Sequence, residues 1–148
     1  MKKITLFSDG SALGNPGPGG YGVILRFGDK EKEIVGAEAH TTNNRMELLG
    51  VIEGLAALKE PCEVDVISDS SYVVKGINEW LPNWIKRDFK KVKNPDLWKR
   101  YIEVSKGHKV NAIWVRGHDG HVENERCDIL ARDAAQKMKD SLEKGSYE

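Results

Sequence analysis

The chain opens on an alternation of apolar and polar positions, Lys3-Ile4-Thr5-Leu6-Phe7, bounded by Asp9-Gly10. A period of two predicts a strand with one face on a core. Residues 21–27 and 31–39 predict two further strands, joined by a hairpin turn at Gly28-Asp29-Lys30. Between the first two strands lies GSALGNPGPGG, whose density of Gly and Pro reads as a tight, shaped loop. The period then lengthens. Met46, Leu49, Ile52, Leu55 and Leu58 recur at helical spacing behind Thr41-Thr42-Asn43-Asn44, a run of good N-caps. Glu47 then falls in the first helical turn, where the helix dipole favours a carboxylate, and Pro61 ends the helix. A short apolar strand over residues 64–67 leads into Ser68-Asp69. Residues 70–107 read as helical with interruptions at Gly76, Pro82 and Pro95, and residues 109–115 as a last strand. From Asn124 a final helix puts Cys127, Leu130, Ala131 and Ala134 on one face, with a polar, frayed end.

The element order is therefore β-β-β-α-β-α-β-α. A hairpin meander followed by β-α-β crossovers implies an α/β fold: a five-stranded mixed sheet, three antiparallel strands and then crossovers, flanked by helices. Neither a repeat nor a linker interrupts it, so one domain is expected over residues 1–140, with a polar tail at 141–148. If the strands before Asp9 and Asp69 lie side by side and parallel, their carboxylates meet at one edge of the sheet.

Composition narrows the class. Of 148 residues, 39% are apolar and 31% charged, which fits a soluble globular protein. No apolar stretch approaches the ~20 residues that span a bilayer. MKKITLFSDG lacks the apolar region of a signal peptide, so a cytoplasmic protein without membrane attachment is expected. Two cysteines, Cys62 and Cys127, are then expected as reduced, packed thiols. The 23 basic and 23 acidic residues cancel, so bulk charge gives no argument for nucleic acid. Its distribution does: residues 86–100 carry Lys86, Arg87, Lys90, Lys91, Lys93, Lys99 and Arg100 against only Asp88 and Asp96.

Four acids stand in distinctive settings: Asp9 in FSDGS, Glu47 in NNRMEL, Asp69 in ISDSSY and Asp128 in NERCDILAR. An isolated Asp after a strand is ordinarily a solvated turn residue. Four brought together repel unless a divalent cation lies between them. His118, in RGHDGH, stands ten residues before Asp128. The Gly-rich run lacks the Lys-Ser/Thr of a P-loop, so it is no phosphate cradle of that kind.

DGSALGNPGPGGYG, TTNNRMEL, SDSSYV, the Trp- and Lys-rich stretch through NPDLW, and GHDGHVENERCDILAR follow in this order from about residue 3 to about residue 135. Together they resemble type 1 ribonuclease H of the bacterial kind. The resemblance implies the ribonuclease H-like fold and an endonuclease that cleaves the RNA strand of RNA–DNA hybrids, leaving 5′-phosphate and 3′-hydroxyl ends without strong sequence specificity. It implies two Mg²⁺ ions, with Mn²⁺ as a possible substitute, held by Asp9, Glu47, Asp69 and Asp128, with His118 beside the scissile phosphate. Asn15, Asn43 and Asn44 match positions that contact the hybrid's minor groove, where 2′-hydroxyls distinguish RNA. Thr42 and Asn94, with His40, match a pocket for a DNA-strand phosphate, and Trp80, Lys86, Arg87 and Lys90 match a basic protrusion. The implied partner is the hybrid duplex, with no obligatory protein partner and a monomeric state. A non-catalytic hybrid-binding module is the first alternative, but binding alone has no use for clustered acids. A DNA-acting integrase or resolvase is the second, but TTNNRMEL and the basic stretch favour a hybrid.

The chain departs from the best-known bacterial pattern at His40, where an arginine stands, and at Ser71, where a glutamine often stands. Its basic segment is also several residues shorter. Histidine is only partly charged near pH 7, so the phosphate grip is expected to weaken as pH rises. The hybrid KM of the natural protein should climb between pH 6 and 8, and that of a His40→Arg variant should not. Equal, flat profiles would sink the idea.

Overall fold

The computed structural model describes residues 1–117 and 121–145. Five strands, β1 (Lys2–Ala12), β2 (Gly17–Phe27), β3 (Lys30–Thr41), β4 (Cys62–Ser68) and β5 (Lys109–Trp114), form one sheet in the order β3-β2-β1-β4-β5. The β1–β2 and β2–β3 pairs are antiparallel, and the β1–β4 and β4–β5 pairs are parallel. The helices are α1 (Asn43–Ala56), α2 (Ser71–Lys75), α3 (Leu81–Lys86), α4 (Pro95–Ser105) and α5 (Val122–Gly145). The expected mixed sheet and its order of elements are thus present.

Strand parity sets the two faces. Ile4 and Leu6 of β1 join the larger core with Met46, Leu48, Val51, Ile52 and Leu55 of α1 and the fully buried Trp98 of α4. Phe7 points the other way, into a cluster with Ile24 and Cys127 of α5. Each apolar face needs a helical cover, and the sheet lies between them. Around the rim, Arg26 of β2 pairs with Glu31 and Glu123, and Arg126 with Glu31 and Glu33, tying the start of α5 to the β2–β3 hairpin.

Several local expectations are corrected. The Gly-rich segment is mostly strand: β1 continues to Ala12 and β2 begins at Gly17. Its glycines serve close packing. A Cβ on Gly20 would lie 2.6 Å from the Ala131 carbonyl oxygen, and one on Gly22 2.7 Å from that of Cys127, so α5 rests directly on β2. The helix α1 stops at Ala56, short of Pro61. Gly76 does not break the helical stretch. It opens a π-helical turn, Gly76–Trp80, between α2 and α3, where a Cβ would run into the Trp98 ring. Pro82 sits in the first turn of α3 and Pro95 begins α4, positions where the missing N–H is harmless. The last helix runs on to Gly145, through much of the stretch expected to fray. Cys62 and Cys127 are buried and free, as expected. Among the described residues, no helix is long and apolar enough to cross a membrane.

Candidate active site

Parallel pairing brings the first two acids level. Phe7 of β1 stands opposite Ile67 of β4, so Asp9 and Asp69, each two residues further on, emerge together. Both share the parity of Phe7 and Ile67 and belong to the α5 side of the sheet. Glu47 arrives from the other side. Thr42 caps α1 by accepting from the Arg45 N–H at 3.2 Å. Glu47 therefore lies in the second turn, not the first, and only 8% of it is exposed. Ligand oxygens of Asp9, Glu47 and Asp69 all lie within 4.8 Å of one another.

Gly10 is the hinge of this arrangement. Its N–H donates to Asp9 Oδ1 at 2.9 Å and to Glu47 Oε1 at 2.6 Å, holding the two carboxylates with one donor. Burial pushes the Asp9 carboxyl up to about 6, with further upward pressure from Asp69 and Asp128. Burial, then the proton shared with Asp9 and the Asp9 charge, pushes Glu47 well above the usual carboxylate range. Among the described residues, Glu47 Oε2 is buried without a hydrogen-bond partner. A buried acceptor lacking a donor, among oxygens of like charge, suits a hard divalent cation.

These shifts set a pH dependence. Between the ordinary Asp value and about 6, the folded protein keeps a proton that the unfolded chain has released. The cluster's contribution to stability therefore falls as pH rises through that window. Without metal, Glu47→Gln should melt higher than the natural protein at pH 8 and no higher at pH 4. Adding Mg²⁺ should raise the natural protein's Tm more at pH 8 than at pH 5. Identical metal-free melting curves for variant and parent at pH 8 would count against this reading.

Asp128 of α5 does not enter the three-carboxylate set. It is about a quarter exposed and pairs with Arg132 one turn along at 2.7 Å. It nonetheless lines the same open groove as Asp9, Glu47 and Asp69, together with Asn43, Asn44, Ser70, Ser71 and Tyr72. His118 lies outside the described residues. Next to it, Gly117 approaches Asp69 so closely that a Cβ would lie 2.9 Å from Oδ2.

The predicted substrate contacts fall in two places. At the α1 end, Asn15 Oδ1 accepts from the Asn43 N–H at 3.0 Å, and Asn43 Oδ1 accepts from the Ala12 N–H at 2.8 Å. That lock fixes the β1–β2 turn beside the exposed Asn44 and His40. Beyond α2, Lys86, Arg87 and Lys90 are exposed, as is Trp80 at 39%. Trp84 turns inward, its ring centroid 5.2 Å from that of Trp98. Asn94 stands between the two places, bonded to Arg45 of α1 and Tyr72 of α2. Sequence reading missed Arg45 and Tyr72, because nothing in their spacing announces a shared partner. It also missed Asn124, which donates to the Ile67 carbonyl at 3.3 Å and lines the cleft with Asp9, Asp69 and Asp128.

A family model described as RNase H matches residues 1–136. The chain belongs to the ribonuclease H family. It is 70% identical over 141 residues to Ribonuclease H of Sulfurovum sp. (strain NBC37-1), covering 95% of this chain and 96% of that protein. Among solved structures, LC9-RNase H1, described as a type 1 RNase H with the type 2 active-site motif, aligns with a TM-score of 0.85 and 33% identity. That alignment covers 93% of this chain and 74% of the other. LC11-RNase H1, solved in complex with an RNA/DNA hybrid, aligns with a TM-score of 0.66 and 25% identity over 90% of this chain and 97% of its own. The ribonuclease H fold thus accounts for the sheet order, and the carboxylate cluster lies where the parallel pairing of β1 and β4 ends.

Proposed function

We propose that this ribonuclease H family protein works as a two-metal-ion nuclease with the division of labour that follows. It hydrolyses the RNA strand of RNA–DNA hybrids, leaving 5′-phosphate and 3′-hydroxyl ends. The observation that carries the reading is the convergence of Asp9, Glu47 and Asp69 within 4.8 Å, with a buried Glu47 oxygen lacking a donor. Asp9, Glu47, Asp69 and Asp128 would hold two Mg²⁺ ions. The chemistry supplied by the bound cations is Lewis acidity, which makes water nucleophilic at neutral pH and offsets charge on the departing oxygen. Gly10 holds Asp9 and Glu47 in register through its single N–H. His118 is assigned proton transfer near the scissile phosphate, a task suited to a side chain type that titrates near neutrality.

Asn15, Asn43 and Asn44 face the minor groove, and Thr42, Asn94 and His40 grip a phosphate of the DNA strand. Trp80, Lys86, Arg87 and Lys90 hold the duplex backbone without reading sequence. The protein acts in the cytoplasm, a reading supported by its two buried free thiols, and as a monomer.

The test is cleavage of four labelled duplexes or strands (RNA–DNA hybrid, RNA–RNA, DNA–DNA, single-stranded RNA) with Mg²⁺ or EDTA, alongside Asp69→Asn. The expected result is cutting of the hybrid's RNA strand alone, lost with EDTA and in the variant. Tight hybrid binding without cleavage would leave a binding module, and cutting of DNA–DNA would move the protein to another activity of this fold.

A further inference from the structure

Asn94 occupies the N-cap position before α4, yet its side chain does not cap the helix. Its backbone is left-handed (φ 56°, ψ 44°) and its side chain makes no capping bond. Asparagine at this position ordinarily accepts from an N–H of the first helical turn. Here both ends of the amide are taken elsewhere. Arg45 Nη1 donates to Oδ1 at 3.2 Å, and Nδ2 donates to the Tyr72 hydroxyl oxygen at 3.1 Å. The orientation has one solution, because a guanidinium can only donate and so must face the amide oxygen. The clamp is itself held. Arg45 makes a paired contact with Asp96, at 3.0 and 2.8 Å, and the indole N–H of the fully buried Trp98 donates to the Tyr72 oxygen at 2.9 Å.

We propose that Arg45 and Tyr72 are positioning residues that hold the Asn94 amide so that its second N–H faces a backbone phosphate of the hybrid. A helix cap is given up for this. Among the described residues, that second N–H has no acceptor, whereas the first is engaged by Tyr72. The clamp ties Asn94 to two segments that adjoin carboxylates: Arg45 is two residues from Glu47 on α1, and Tyr72 is three residues beyond Asp69. It therefore fixes the phosphate contact relative to the reacting centre, and the entropy of ordering a free asparagine is not spent on binding. The inference rests on reading Asn94 as a phosphate contact.

The experiment is a set of kinetic cycles on the Mg²⁺-loaded enzyme and its RNA–DNA hybrid: Tyr72→Phe, Arg45→Lys, Asn94→Ala and the two double variants with Asn94→Ala. Melting is followed in parallel, and kinetics are read well below every Tm. Tyr72→Phe should raise KM roughly 3- to 10-fold, the size of one lost hydrogen bond, with kcat within about twofold. Arg45→Lys, which keeps the charge but loses the guanidinium donors, should do the same. Neither should raise KM further in the Asn94→Ala background. A KM unmoved by both single variants while Asn94→Ala raises it would overturn the clamp and leave the phosphate contact standing. Full additivity with Asn94→Ala would likewise overturn it, since the two residues would then act on substrate independently. A KM unmoved by Asn94→Ala would remove the phosphate contact and the clamp with it.

Discussion

Asp9→Asn should abolish hybrid cleavage, by ~10³-fold or more, while the metal-free protein melts higher than its parent at pH 8. The two effects have one cause. Asp9 stands between Glu47 and Asp69, buried, with its Oδ1 on the Gly10 N–H. Three carboxylates this close hold a cation strongly and repel one another without it. The amide keeps the shape of the side chain and removes a charge. Repulsion in the metal-free state is relieved, and Glu47 gains a neighbour that can donate to it. One of the three clustered oxygen donors is lost in the same step. Tm measured with and without Mg²⁺ should therefore show a higher baseline and a much smaller metal-induced rise. A variant that cuts hybrids at near-parental rates would refute the assignment of Asp9. One that loses activity but keeps the full metal-induced rise would move the metal-binding role to the other carboxylates.

Gly10→Ala should cost roughly 2–3 kcal/mol of stability and most of the activity. Gly10 has the parity of Leu6, so its side-chain direction is toward α1. A Cβ there would meet the backbone of Met46 and Glu47, and would lie 2.8 Å from Met46 Cβ. Nothing in that wall is the far end of a flexible side chain, so the start of α1 must shift. That shift carries Glu47 away from Asp9 and breaks the shared Gly10 N–H contact. Loss of cleavage should exceed what the fall in Tm accounts for when rates are read well below the transition. Gly28→Ala, whose Cβ would meet nothing within 4 Å, is the contrasting case: its positive φ of 60° carries strain, but the site is untouched. Similar activity losses in the two variants would remove the special role given to Gly10.

Much of this was legible along the chain because it is written locally. Alternation in residues 3–7, helical spacing behind Thr42, and polar breaks between them follow from backbone periods that any neighbour sees in sequence. Asp9, Glu47 and Asp69, which converge in the structure, likewise stand in long ordered motifs that name residues regardless of where the chain folds. What the periods do not contain is how closely two elements approach. The strand character of the Gly-rich segment comes from pairing of residues 10–12 with residues 19–21, and α5 lies on Gly20. Glu47 was expected on a dipole-favoured first turn. It is buried in the second, its properties set by Asp9 and Gly10, residues 38 and 37 positions earlier.

Residue identity thus settled the fold class, the order of elements and the names of the acids. Tertiary structure alone decided which three carboxylates converge, that Glu47 is buried against the Gly10 N–H, and that Asn94 is held by residues from two other helices. The reason is physical. Secondary structure depends on neighbours a few residues apart, whereas burial, charge coupling and shared hydrogen bonds depend on ångström-scale approaches between segments far apart in the chain.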